Sequence, residues 1–311
     1  MGSYPSKKAT VEPITRIRVA GFKSIAKEHE IEVRPLTILA GGNSSGKSSM
    51  MQPLLLLKQT LEATFDPGPL LLIGGHLKFT SSDQVLSRIN KTGSLANQFQ
   101  IGVGIEHEYC SARFHKQAGE TFRIDQWTFE EDGNSLVIKP SMSPKELASA
   151  AERYLLSSRP DWDKKFEAAF LISKRCTCEV LCQTENELSA RFRLGSFTLI
   201  PSIIHLPVVR GSHERGSPIT AVGEVFVGTF PVYTASILEK WQQIGDTDRL
   251  TSVYQDLKHL GLTSKVVAHR KNGAELEVLV ARQTDKSPRS NRDLVSLVDV
   301  GFGVSQVLPV V

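Results

Sequence analysis

The stretch GGNSSGKSS at residues 41–49 constrains the fold of this chain more than any other part of its sequence. It fits the pattern G-x-x-x-x-G-K-[ST]. The fixed positions are Gly41, Gly46, Lys47 and Ser48. An apolar run, IEVRPLTILA at residues 31–40, precedes the stretch, and MMQPLLLLKQTL follows it. The order predicts a strand, a Gly-rich loop and a helix that runs from Lys47 to Thr60 or slightly beyond.

A loop of this kind holds nucleotide phosphates. Its glycines let successive backbone N–H groups turn inward toward phosphate oxygens. Lys47 then reaches the β- and γ-phosphates, the Ser48 hydroxyl ligates Mg²⁺, and the helix contributes its positive N-terminal end. The alternative is a chance Gly/Ser-rich turn, which the flanking strand and helix patterns disfavour. The predicted binding residues are Gly41, Gly42, Asn43, Ser44, Ser45, Gly46, Lys47, Ser48 and Ser49.

A second Gly-rich turn opens the last segment, DVGFGVSQVLPVV, at residues 299–311. Gly301 and Gly303 permit a tight turn, and Ser305 offers a hydroxyl. The amides at the start of the helix that follows form a second anion site. The alternative is an ordinary strand-to-helix turn, which is frequent in α/β folds.

Together with the turn GFKS at residues 21–24, these motifs resemble those of the ABC-type ATPases of the SMC, RecF and OLD-nuclease group, which are often called simply AAA-family ATPases. The resemblance implies an α/β fold, namely a P-loop ABC-type ATPase head with a mixed sheet, an antiparallel β flank and a helical insertion. It implies ATP and Mg²⁺ as ligands. It also implies head-to-tail dimerisation with a second copy or another ATPase, in which Gly301, Gly303 and Ser305 face the partner's nucleotide.

The resemblance assigns further roles. Lys47 belongs to the catalytic machinery, and Gln84 is the candidate for a loop glutamine that touches Mg²⁺ and the attacking water, with a surface glutamine as the alternative. Arg210 is a candidate for a functional contact, with a solvated loop as the alternative. In the family a carboxylate pair and a switch histidine follow the signature helix. We therefore expect the catalytic carboxylate outside these residues and the chain to be the N-terminal portion of a longer ATPase.

Relatives act in DNA repair or in defence against phage, often with a nuclease domain or partner, so the same role is expected here. The main alternative is a nucleotide-gated interaction module that binds ATP without hydrolysis. A P-loop kinase acting on a small molecule fits the signature segment poorly. The 37 basic and 33 acidic side chains give a net charge of +4, which is compatible with DNA as a partner without requiring it.

The sequence predicts a disordered segment at residues 1–13, an ATPase lobe at 14–200 with an antiparallel β flank and a helical insertion at 143–170, a helical and hairpin lid at 201–290, and the signature segment at 291–311. No apolar run approaches the ~20 residues of a membrane span, and no secretory signal opens the chain, so a cytoplasmic location is expected. Of the four cysteines, Cys176, Cys178 and Cys182 are interpreted as buried strand residues, and no metal is expected beyond nucleotide-bound Mg²⁺.

Overall fold

The computed structural model describes the chain in ranges, and these residues form a mixed α/β structure with antiparallel sheets and five helices. The chain divides into two compact units, Met1–Pro201 and Ser202–Val311, which are described separately below. No helix in the described ranges is both long and apolar enough to cross a bilayer. The ranges are 13–43, 45–89, 94–117, 119, 121–158, 165–185, 188–193, 196–207, 215–282, 293–300 and 302–311.

The first unit contains a six-stranded antiparallel sheet with the spatial order β2-β1-β3-β4-β5-β6. The strands are β1 (Arg16–Ala20), β2 (His29–Glu32), β3 (Gln98–Ile105), β4 (Glu108–Lys116), β5 (Phe122–Glu131) and β6 (Asn134–Ile138). Residues 99–139 alternate apolar and polar side chains, a pattern typical of strands, and the last four strands form an antiparallel meander, which confirms the antiparallel pairing predicted within this lobe. Phe99 stacks on Phe114 with ring centroids 4.9 Å apart and meets the edge of Phe22 at 5.6 Å, so these aromatic rings join β3 and β4 to the turn after β1.

Helix α1 (Lys47–Glu62) follows the Gly-rich loop as predicted, but the strand predicted before the loop is wrong. Strand β2 ends at Glu32, and Leu36 and Ile38 are each 78% exposed. Pro35 provides no N–H for a ladder and restricts the residue before it. All strand pairs among the described residues are antiparallel, so the parallel pairing that the expected mixed sheet requires is not found in this part of the chain.

The rest of the first unit consists of α2 (Pro144–Ser158) and a three-stranded sheet of β7 (Ala168–Lys174), β8 (Thr177–Gln183) and β9 (Leu188–Arg193). The helix expected over 143–170 is therefore shorter, because residues 168–170 already belong to a strand. The interpretation of the cysteines as buried strand residues is confirmed for Cys178 and Cys182, while Cys176 lies in the turn before β8 and is also buried.

The second unit packs three helices against a small antiparallel sheet. Its elements are β10 (Ser217–Pro218), α3 (Thr234–Ile244), α4 (Thr247–His259), β11 (Val266–Arg270), β12 (Glu275–Ala281), β13 (Leu294–Ser296) and α5 (Phe302–Val307). The predicted helices over 233–262 and the hairpin that turns at 272–273 are confirmed. Leu238 and Leu257 bring α3 and α4 into the core, and Val304 brings in α5.

Candidate functional site

The Gly-rich loop leads directly into the first turn of α1. Gly46 has φ 98°, a left-handed conformation that glycine adopts without a steric penalty, and a Cβ there would lie 3.1 Å from the Ser24 hydroxyl oxygen. The N–H of Met50 donates to the Gly46 carbonyl at 3.0 Å. The amides of residues 47–49 precede this bond and have no acceptor within the helix, so they form an anion-binding end that the helix dipole makes positive.

The Lys47 side chain folds back over its own loop. Its Nζ donates to the carbonyl oxygens of Gly41 and Gly42, each at 2.7 Å. These are weak acceptors compared with a phosphate oxygen, because hydrogen bonds between two charged groups are shorter and stronger than those to a neutral carbonyl. A nucleotide phosphate can therefore replace the carbonyls as the acceptor of Lys47.

A cavity of about 250 Å³ lies against the loop and is rich in donors. Its described lining includes two lysines and no carboxylate, so its electrostatics favour an anion. Its size suits a phosphate chain better than a whole nucleotide, since pockets for drug-sized ligands hold roughly 300–1,000 Å³. The lining residues are Lys23, Ser24, Ser45, Gly46, Lys47, Ser48 and Ser49.

Lys23 and Ser24 are site residues that sequence reasoning missed. The turn GFKS supported the family resemblance, but no site role was assigned to it. In the structure Phe22 is completely buried and anchors the turn, and Lys23 takes the left-handed φ of 49°. The Ser24 hydroxyl donates to that of Ser49 at 3.1 Å, which ties the turn to α1.

The Lys23 ammonium is held in place on two sides. Its Nζ donates to Gln52 Oε1 at 2.8 Å and lies 4.5 Å from the centroid of the Phe79 ring. Burial lowers the pKa of Lys23, because the charged form loses hydration. A phosphate beside Lys23 would compensate for the lost hydration and so stabilise the charged form of this side chain.

Ser48 fits the limited protein ligation that Mg²⁺ needs. It lies exposed in the first turn of α1, on the cavity wall. Magnesium keeps several waters and takes much of its coordination from substrate phosphates, so a hydroxyl beside a phosphate site can serve as one of its few protein ligands. The described residues contain no cluster of three or more His, Cys, Asp or Glu that would hold a metal by themselves.

Gln84 does not line the cavity. Its side-chain oxygen accepts from the Thr80 amide at 3.0 Å, and its Nε2 donates to the Thr80 hydroxyl at 3.1 Å. The next residue, Val85, accepts a hydrogen bond from the Lys23 amide at 2.9 Å, so the segment that carries Gln84 adjoins the turn at the site. Its role as the catalytic loop glutamine stays a prediction.

The signature-like segment lies in the second unit, and one of its predicted contact residues, Gly303, is exposed. Gly303 is exposed near the start of α5, whereas Ser305 is only 8% exposed. Arg215 donates to both carboxylate oxygens of Asp299, at 2.6 and 3.0 Å, and so holds the residue that opens the motif. Sequence reasoning chose Arg210 from this loop and did not assign a contact to Arg215.

Three of the predicted residues lie outside the described residues: Ser44, Arg210 and Gly301. Gly42 and Asn43 are exposed on the loop, where a ligand can reach them. Gly41 has φ 155°, and a Cβ there would come within 2.6 Å of the Ser45 hydroxyl oxygen, so the loop path requires glycine at this position.

Comparison with known proteins adds little. No family model matches the chain, and no curated protein matches it. One similar solved structure is of an SMC ATPase and concerns ATP-driven dimerization and DNA-stimulated activation. It is 15% identical, covers 45% of this chain and 79% of its own, and has a TM-score of 0.27. A TM-score this low carries no argument about fold or function, so the site stands on the geometry above.

Proposed function

We propose that this chain binds ATP–Mg²⁺ in the loop of residues 41–49 and works as an ABC/SMC-like ATPase head. One observation carries the proposal: Lys47 and Lys23, from two separate turns, line one small cavity at the start of α1 whose described lining holds no carboxylate. A triphosphate is the common ligand that needs two cations and a row of free amides together.

Each group would contribute to holding the phosphates. The amides of residues 47–49 donate to phosphate oxygens, while Lys47 and Lys23 neutralise charge from opposite turns. Ser48 would be the protein ligand of Mg²⁺, which when bound neutralises the charge that develops on the phosphates. Phosphoryl transfer requires mainly positioning and charge stabilisation, and these residues supply both for the ground state.

The proposed head also dimerises when ATP binds, with the signature-like segment facing the nucleotide of the partner. The exposed Gly303 supports this, because a glycine at a helix start lets another molecule approach the backbone closely. Gly301 and Ser305 belong to the same proposed contact. The role in DNA repair or phage defence and a nuclease partner rest on the sequence resemblance alone.

The second candidate function is a nucleotide-gated module that binds ATP without hydrolysing it. The observation that favours it is that the described lining of the cavity holds neither a carboxylate nor a glutamine, the side chains that usually activate or orient a water nucleophile in phosphoryl transfer. Gln84, the predicted loop glutamine, does not line the cavity, and its side chain is hydrogen-bonded to Thr80.

The test is a titration with ATP and Mg²⁺ that follows binding and phosphate release on the same samples. Wild type, Lys47→Ala and the matched control Lys27→Ala are compared, because Lys27 is an exposed lysine of the same unit that does not line the cavity. Losing a charge-assisted contact worth about 1.5–3 kcal/mol should weaken binding by Lys47→Ala roughly 10- to 150-fold. The control should bind as wild type does.

The outcomes separate the candidates. Binding with phosphate release that is lost in Lys47→Ala supports the ATPase. Binding without release supports the gated module. Equal ATP affinity in folded wild type and Lys47→Ala would contradict both, because both require the loop to hold the phosphates.

A further inference from the structure

A groove of about 890 Å³ runs between α2 and the edge strand β6, apart from the cavity at the Gly-rich loop. One wall is a straight stripe along the helix, in which Lys145, Ser149 and Arg153 recur every fourth residue and so share one face. The other wall is the exposed face of β6 and its end, with Ser135 and Lys139. Both walls belong to the first unit.

The groove is positively charged, and its cations are not neutralised within the described residues. Lys139, Lys145 and Arg153 are exposed, and no described carboxylate lies within ion-pair distance of them. Glu146 is the one carboxylate on the described lining. One of its oxygens accepts from the amide and the hydroxyl of Ser143, at 2.7 and 2.8 Å, which caps the start of α2, and the three cations of the groove outnumber its single negative charge.

The spacing of the donors fits a chain of phosphates. Lys145 and Arg153 are eight residues apart, which is about 12 Å along a helix that rises 1.5 Å per residue. Along the axis of duplex DNA each strand rises about 3.4 Å per phosphate, so a stripe that lies parallel to this axis spans three to four phosphates. The hydroxyl of Ser149 lies between the two cations, and serine hydroxyls are frequent partners of phosphate oxygens.

The groove offers no surface on which bases could stack. Tyr154 is the one aromatic residue on its described lining. That side chain is buried, and its hydroxyl donates to Glu131 at 2.6 Å, so its ring is not available to a ligand. Recognition by base stacking needs exposed aromatic rings, and recognition of the backbone does not.

We propose that this groove binds the phosphodiester backbone of a nucleic acid without reading its sequence. The ligand is recognised by its regularly spaced phosphates, which meet Lys145 and Arg153 from the helix and Lys139 from the end of the strand. The inference does not rest on the proposed function, because no residue of the groove lines the cavity at the Gly-rich loop.

The experiment measures fluorescence anisotropy of a labelled 30-base-pair DNA duplex with the full chain, without ATP, from 50 to 200 mM salt. The triple variant Lys139→Gln, Lys145→Gln and Arg153→Gln is compared with wild type. The matched control carries the same charge change at three exposed residues of the same unit that lie outside the groove: Lys27→Gln, Arg123→Gln and Lys174→Gln. Circular dichroism checks that each variant is folded.

Three phosphate contacts contribute about 2.7 to the slope of log affinity against log salt. Over the fourfold rise from 50 to 200 mM salt, this slope corresponds to a loss of affinity of roughly 40-fold. We expect the groove variant to lose that part of the slope and the control to keep it. Lys47→Ala should bind the duplex as wild type does, which separates this result from any failure of the nucleotide site.

Three results would overturn the inference. The first is a wild-type chain that does not bind the duplex at 50 mM salt. The second is a groove variant that binds with the affinity and slope of the control. The third is displacement of the duplex by inorganic pyrophosphate at a concentration close to the duplex Kd, which would assign the groove to a small phosphate ligand instead.

Discussion

Replacing Lys58 tests how the helix that carries the Gly-rich loop is fixed in the first unit. Lys58 has no exposed surface, yet it carries an ammonium that donates to Glu62 on the next turn of α1 and to the Pro201 carbonyl at 2.7 Å. Glu62 in turn contacts His76 Nε2 at 3.0 Å, and both of these side chains are almost fully buried. The network joins α1 to a loop and to the end of the first unit.

The loss of unfolding free energy expected for Lys58→Met follows from the burial of its ion pair with Glu62. Lys58→Met keeps most of the side-chain volume, so the loss is electrostatic: Glu62 stays buried without its lysine, which typically costs about 3–5 kcal/mol of unfolding free energy. Replacing both partners in Lys58→Met/Glu62→Leu removes the buried charge as well, and apolar replacement of a buried pair is often close to neutral. The double variant should therefore be more stable than the single one by at least about 1 kcal/mol.

The assay is urea unfolding followed by tryptophan fluorescence in a Trp162→Phe/Trp241→Phe background, which leaves the buried Trp127 as the reporter of the first unit. With a slope of about 2 kcal/mol/M, a loss of about 3 kcal/mol lowers the urea midpoint by about 1.5 M. A single variant that costs less than about 1 kcal/mol, or a double variant that costs the sum of its two singles, would refute the reasoning from buried charge.

Two further predictions concern single side chains. Lys23→Gln removes one of the two cations at the cavity and should weaken ATP binding about tenfold in the same titration as Lys47→Ala, because one charge-assisted contact is worth roughly 1.5 kcal/mol or more; an unchanged Kd would remove Lys23 from the site. Burial raises the pKa of Cys110 to about 12, so Ellman's reagent at pH 8 should modify it only after unfolding. The folded state keeps the Cys110 proton, while the unfolded thiol loses it near pH 8.5, so Cys110 makes the free energy of unfolding fall as pH rises above that value. Rapid labelling of Cys110 in the native protein would contradict its burial.

Local periodicity was enough to predict most elements of the fold. The meander of β3 to β6 alternates apolar and polar residues over its whole length, and α3 and α4 repeat apolar residues at three- and four-residue spacings. Each such pattern defines a buried face by itself. The segment at residues 36–39 is different, because a short apolar run is buried only if neighbouring strands cover it. No described strand does so, and Leu36 and Ile38 are exposed.

The Gly-rich loop of the candidate site could be predicted from the sequence, and the contribution of the turn that carries Lys23 could not. Gly41, Gly46 and Lys47 act within one continuous loop, so their spacing in the sequence is enough to indicate phosphate binding. Lys23 reaches the same cavity only because the buried Phe22 anchors its turn and the left-handed backbone at Lys23 directs the side chain toward α1. That placement depends on packing between distant segments, which spacing does not encode.

The signature-like segment shows why a hydroxyl in a motif does not fix its own role. Val304 and Leu308 lie four residues apart on the buried face of α5, and Ser305, which follows Val304, is only 8% exposed, while Gly303 is exposed. In the proposed dimer, a phosphate of the partner's nucleotide would therefore meet the backbone at Gly303 before it met the largely buried Ser305. The motif names both residues as contacts, and their exposure, which depends on how α5 packs, favours Gly303 over Ser305.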